Sequence, residues 1–183
     1  MRVVAGLFDD YDEARGAVSD LEAAGFPSED MSIVANNAGE RYTSGGAVPG
    51  ATGLLMGLDL MVIPGIGPVV GAGWLASAAA GALTGECAGG IIETLTHSGL
   101  EEEDAHLYAE GVRRGSALVV VRADEKLVAQ ADGILRNRNA VDISFRRRAF
   151  TEDGWTRFDA ASNPYSLDEV TRERERLSPP ALL

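Results

Sequence analysis

At 183 residues, with 45% hydrophobic, 24% charged and only 6% aromatic residues but 22 glycines, the chain suits one main core with appendages rather than two independent ones. A net charge of −12 repels phosphate backbones and anionic headgroups at long range, which argues against nucleic acid as a partner, and the short run Arg146, Arg147, Arg148 does not overturn that. The single cysteine, Cys87, rules out an intrachain disulfide framework and reads as a small buried thiol. The N-terminal stretch is acidic and amphipathic, without the basic start and long apolar run of a signal peptide, so a cytoplasmic protein is expected, with membrane association as the alternative.

Residues 2–8 (RVVAGLF) read as a buried strand closed by Asp9 and Asp10. Asp10 and Glu13 have capping-box spacing, and Ala14, Ala17, Val18, Leu21 and Ala24 then recur at helical intervals until Gly25. Residues 31–36 form a second strand. The acidic residues 101–104 open a helix striped by Ala105, Tyr108, Ala109 and Val112. A third strand follows at 117–123, then a helix starting near Asp124 and striped by Leu127, Val128, Ala131, Ile134 and Leu135. Residues 141–148 alternate, with Val141, Ile143 and Phe145 inward against Asp142, Ser144 and Arg146, and this predicts a fourth strand.

Setting aside the middle and the helix after it, the order is strand, helix, strand, strand, helix, strand. The expected fold class is therefore α+β, a ferredoxin-like split βαβ domain formed by residues 1–40 and 100–148. The alternative is a three-layer α/β domain in which the helix at 101–114 covers the second sheet face. Residues 149–183 read as an arm with a short helix after Ser166 and Glu169. Its aromatics either pack back on the domain or, with Leu182 and Leu183, dock on another subunit or protein partner.

The insert, residues 46–98, is the most distinctive part. No charged residue lies between Leu60 and Gly85, and Pro64-Gly65-Ile66-Gly67-Pro68 interrupts the run, which predicts two helices joined at a turn. Gly73, Ser77, Gly81, Gly85 and Gly89 fall every four residues, and Gly53 and Gly57 repeat the spacing in the first arm. Each glycine costs a helix about 1 kcal/mol relative to alanine, so such a face predicts close packing against another helix, as in small-xxx-small pairs. Neither arm is comfortably long enough to span a bilayer, since the first carries Asp59 and the second is mostly Ala and Gly.

Chemistry-bearing patterns are sparse. Glu103 and His106 have Glu-x-x-His spacing, but no second copy exists to complete a di-metal site, and His106 reads as an exposed helix-surface histidine. No P-loop, dinucleotide fingerprint or nucleophile elbow is present. Arg113 and Arg114 are expected to pair with local carboxylates. No catalytic, cofactor-binding or metal-ligating residue is therefore assigned, and a non-enzymatic protein is expected.

The segments VAGLFDDYDEARGAVSDLEAAGF, IPGIGPVVGAG, DAHLYAEGVRRGSALVVVRAD and AVDI together resemble the bacterial heat-induced or general stress proteins with a YflT-like domain, over roughly residues 2–148. The resemblance implies a stress-responsive role with a Gly- and Ala-rich insert, and it carries no established catalytic residues. Three functions follow as expectations: a stress-associated homo-oligomer held by glycine-zipper hairpins, a peripheral or partly inserted membrane protein, and a small-ligand module or enzyme.

Overall fold

The computed structural model describes residues 1–40, 53–81 and 90–178. β1 (Arg2–Phe8) leads into α1 (Tyr11–Ala23), and the Asp10 carboxylate caps the helix by accepting from the backbone N–H of Asp12 at 2.7 Å and Glu13 at 3.4 Å. β2 (Met31–Asn36) follows a single 3-10 turn. β3 (Asp59–Ile63) and β4 (Gly67–Gly73) form a hairpin. They are followed by α2 (Trp74–Gly81), α3 (Gly90–His97), α4 (Glu102–Arg113), β5 (Ala117–Ala123), α5 (Val128–Asn137), α6 (Ile143–Glu152) and α7 (Leu167–Leu177).

The five strands form one sheet in the order β1-β5-β2-β4-β3, and every neighbouring pair is antiparallel. β1 and β2 are thus parallel to each other with β5 between them, the split βαβ arrangement expected for an α+β fold. Helices cover both faces. On one side α1 and α5 pack over Phe8, Ile33, Val119 and Val121; on the other α2, α3 and α4 pack over Leu7, Val34, Leu118 and Val120. Burial on both faces is why these strands are continuous apolar runs rather than alternating ones. The three-layer alternative thus describes the helix layers, while the central three strands keep the ferredoxin-like order.

Two expectations are corrected. Residues 141–148 are not a strand: Asp142 accepts from Ser144 N–H at 2.9 Å and Phe145 N–H at 3.1 Å, and this cap starts α6. The helical face then buries Arg146, Ala149 and Phe150 and leaves Phe145 51% exposed, the reverse of the alternation. Of the fourth strand only one ladder bond remains, from Val141 N–H to Leu7 C=O at 2.7 Å. A cleft of about 440 Å³ lies beside β1 where the rest of that strand would run, lined by Ala5, Leu7, Leu135 and Val141.

The insert is likewise not two helices meeting at the Pro-Gly turn: that turn joins two strands, and the helices α2 and α3 follow them. β3 and β4 extend the same sheet beyond β2, and the turn residues Pro64, Gly65, Gly67 and Pro68 join two strands, with Ile66 N–H donating to Ile63 C=O at 3.0 Å. Valines and isoleucine in DLMVI and GPVVGAG suit a pleated surface, and pairing with β2 satisfies backbone groups that a glycine-rich helix would hold at a conformational cost. The small-residue stripe breaks at Gly73, which has φ +90 and ends β4 where a Cβ would lie 2.2 Å from the Met31 carbonyl oxygen. Ser77 and Gly81 lie on α2, whereas Gly85, Gly89 and Cys87 lie outside the described residues. α2 starts where it does because buried Ser32 donates to Ala72 C=O at 2.7 Å and accepts from Ala76 N–H at 3.3 Å, filling a first-turn donor.

The C-terminal arm packs back on the domain. Phe158 is buried with Ile63 and Ile66, Trp155 meets Phe150 edge-on at 5.8 Å, and the Arg113 guanidinium lies 4.6 Å from the Tyr165 ring centre. Its backbone at Ala160 and the Pro164 ring crowd Gly65 and Gly67, where a Cβ would approach each to 2.7 Å. The arm therefore clamps the β3–β4 turn. The capping box of α7 is complete, Ser166 and Glu169 each bonding the other's backbone.

Candidate functional site

The polar side chains that the sequence singled out serve the fold. Arg114, 7% exposed, donates to Glu110 at 2.7 Å, Glu173 at 2.9 Å and Asp153 at 3.0 Å, and its guanidinium lies 4.2 Å from the centre of the Phe150 ring. Arg113 bonds Glu110 and the Asn163 carbonyl. In the basic run, buried Arg146 pairs with Asp9 at 2.6 Å and Arg147 pairs with Asp104, which leaves Arg148 as the exposed member. The Tyr108 hydroxyl donates to Ala5 C=O at 3.3 Å, and burial, with Asp104 and Asp132 adding, pushes its pKa up to about 12.

His106 is 8% exposed rather than on the open helix surface. Its Nε2 lies 3.1 Å from an Arg157 nitrogen and 3.6 Å from a Glu102 oxygen, while Glu103 turns to Arg147. Arg157 of the returning arm meets the His106 ring there, a contact invisible to helical periodicity. His97 is exposed and lies 3.9 Å from Glu93. Among the described residues no three His, Cys, Asp or Glu side chains are grouped to hold a metal ion.

One surface with several exposed apolar side chains close together in sequence is the outer edge of the insert. Leu60 and Val62, on the edge strand β3, are 48% and 57% exposed, and Met56, in the 3-10 segment before it, is 67% exposed. Within residues 53–81 the only charged group is Asp59, in a chain of net charge −12. Pro68 stands opposite Val62 in the hairpin register, and its carbonyl accepts from Asn37 N–H at 2.8 Å, on the β2 side. Since a proline has no N–H and this carbonyl points away from β3, Val62 and Leu60 direct their own peptide groups outward, while Met61 is bonded to β4. Met61 packs on the other face, beside a groove of about 450 Å³ lined also by Gly71, Ala76 and Ala80.

Of the other small residues, Gly57 has open space around its Cβ position. Gly53, at φ +55, lies under Glu22, whose Oε1 accepts from Leu54 N–H at 2.7 Å and Ser28 Oγ at 2.9 Å. Its smallness serves this local contact. The edge strand is masked in the sequence because the four-residue glycine spacing competes with a Pro-Gly turn between short valine-bearing runs, which is itself a hairpin signal. No helix among the described residues is long and apolar enough to cross a membrane.

Residues 3–43 match the family model described as the heat induced stress protein YflT domain, which covers β1, α1 and β2 and agrees with the resemblance found at the N-terminus. Comparison with curated proteins and with solved structures gave no match.

Proposed function

We propose that this chain is a non-catalytic, stress-associated protein whose insert mediates association with further copies of itself. The stress role draws on the YflT-domain match. The observation that carries the association is the exposed apolar edge of β3 at Leu60 and Val62, with exposed Met56 just before it, in a segment with one charge. Apolar side chains grouped on an outermost strand favour a partner surface over solvent. The small face of α2, with Ser77 and Gly81, lies in the same segment and adds a surface suited to close approach, so the zipper residues enter as a short patch beside the strand rather than as a continuous stripe.

Light scattering of the purified full chain, paired with flotation on phosphatidylcholine vesicles, tests this. A lipid-free species of two or more subunits is the expected result. A monomer that stays with the aqueous phase would overturn the reading, and a monomer that floats with the vesicles would replace it with membrane association.

A further inference from the structure

The geometry points to a two-fold, antiparallel pairing of β3 with β3 of a second copy, centred on Met61, as the contact that joins subunits. This rests on the reading of self-association above and names its site. In that register Leu60 faces Val62 of the other copy and Val62 faces Leu60. Both residues direct their peptide groups outward, so each of the two pairs exchanges both of its N–H to carbonyl bonds. The sheet then continues from one subunit into the next.

The strand is self-complementary in side chains as well. The exposed Leu60 and Val62 pair with their counterparts on one face, and on the other Met61 meets Met61 over the groove beside α2. The only charge, Asp59, falls opposite Ile63. The two carboxylates are then offset by roughly 13 Å along the strands, beyond the screening length of about 8 Å at physiological salt. Shifting the register to bring Asp59 nearer its counterpart would add repulsion, and shifting it the other way would set Pro64, which has no N–H, opposite Leu60, so charge and proline together favour the Met61-centred pairing. Beyond Asp59 at its start the strand carries no charge, no bulge and no proline before Pro64.

Sedimentation velocity over a concentration series, on the wild type and Val62→Lys, reads the contact. Oxidative cross-linking of Met61→Cys and Val62→Cys, each with Cys87→Ser, reads the register. Val62 is exposed, so its lysine variant keeps the fold, which circular dichroism verifies for every variant. The expected result is an associating wild type, weakened roughly tenfold or more by Val62→Lys. Met61→Cys then cross-links, because its Cα atoms stand about 4.5 Å apart at a non-hydrogen-bonded pair, within disulfide reach. Val62→Cys does not, because it faces Leu60. If the wild type associates but Val62→Lys matches it, or if Val62→Cys cross-links as readily as Met61→Cys, the pairing is wrong while self-association survives. If the wild type is a monomer throughout, both fall.

Discussion

Arg114, at the C-terminal end of α4, donates to Glu173 of α7 at 2.9 Å, with Arg114 7% and Glu173 8% exposed, and so ties α7 to the end of α4. Around this pair stand Glu110, Asp153 and Arg176, each within 3.0 Å of one partner or the other. Removing the arginine takes away the cation that buried Glu110 and Glu173 share and leaves each with one arginine, Arg113 and Arg176, so the lost charge-assisted hydrogen bonds cost about 2–3 kcal/mol. Arg114→Ala is therefore expected to lower the urea midpoint by a large margin. A loss below about 1 kcal/mol would mean that the network is not a structural tie.

The same carboxylate sets an acid limit. Burial alone would raise the pKa of Glu173, but hydrogen bonds from Arg176 and Arg114 outweigh it and hold the group below its ordinary 4.5. A group depressed in the folded state contributes its stability above the unfolded value and loses it as pH falls through the folded one. Stability should thus hold between neutral pH and about 5.5 and decline from about 4.5 downward. Thermal melts across that range should show a shallower acid decline for Glu173→Gln than for the wild type; equal slopes would assign the acid transition to other groups.

Gly73 and Gly57 separate two accounts of the glycines. Gly73→Ala meets the Met31 carbonyl at 2.2 Å in a left-handed backbone, so it is expected to cost about 2 kcal/mol or more. Gly57→Ala has open space and should stay within about 0.5 kcal/mol of the wild type. A continuous zipper helix predicts instead that both lose assembly with little loss of monomer stability. Chemical denaturation of the two variants beside their sedimentation decides it.

Asp142 decides whether residues 143–152 are helical, since its carboxylate fills two donors of α6. Asp142→Ala should destabilise by about 1 kcal/mol. No change in denaturation midpoint would indicate that burial of Arg146 and Phe150 alone holds the helix.

These corrections show where the sequence was legible. β1, α1, β2, α4, β5 and α5 could be read because the strands are short unbroken apolar runs, the helices carry an apolar stripe at helical spacing, and residues such as Asp10 and Gly115 mark their bounds. Residues 141–148 misled because three alternations are too few to exclude a helix; only Asp142, a cap residue ahead of the run, pointed the other way. In the insert, Gly73 served two patterns at once, a four-residue spacing and a strand exit, and only the Met31 carbonyl beside it tells them apart. The exposed edge at Leu60 and Val62 depends on which side of Pro68 is occupied, a tertiary fact that no local period carries.

Hydrogen exchange at the Leu60 and Val62 amides, followed by NMR at low and high protein concentration, tests the central claim most directly. These N–H groups face outward from the last strand, so they gain partners only when a second copy adds its strand. Protection that rises with concentration, while Met61 stays protected throughout, is the predicted result. Exchange of Leu60 and Val62 at the open rate at every concentration would contradict it.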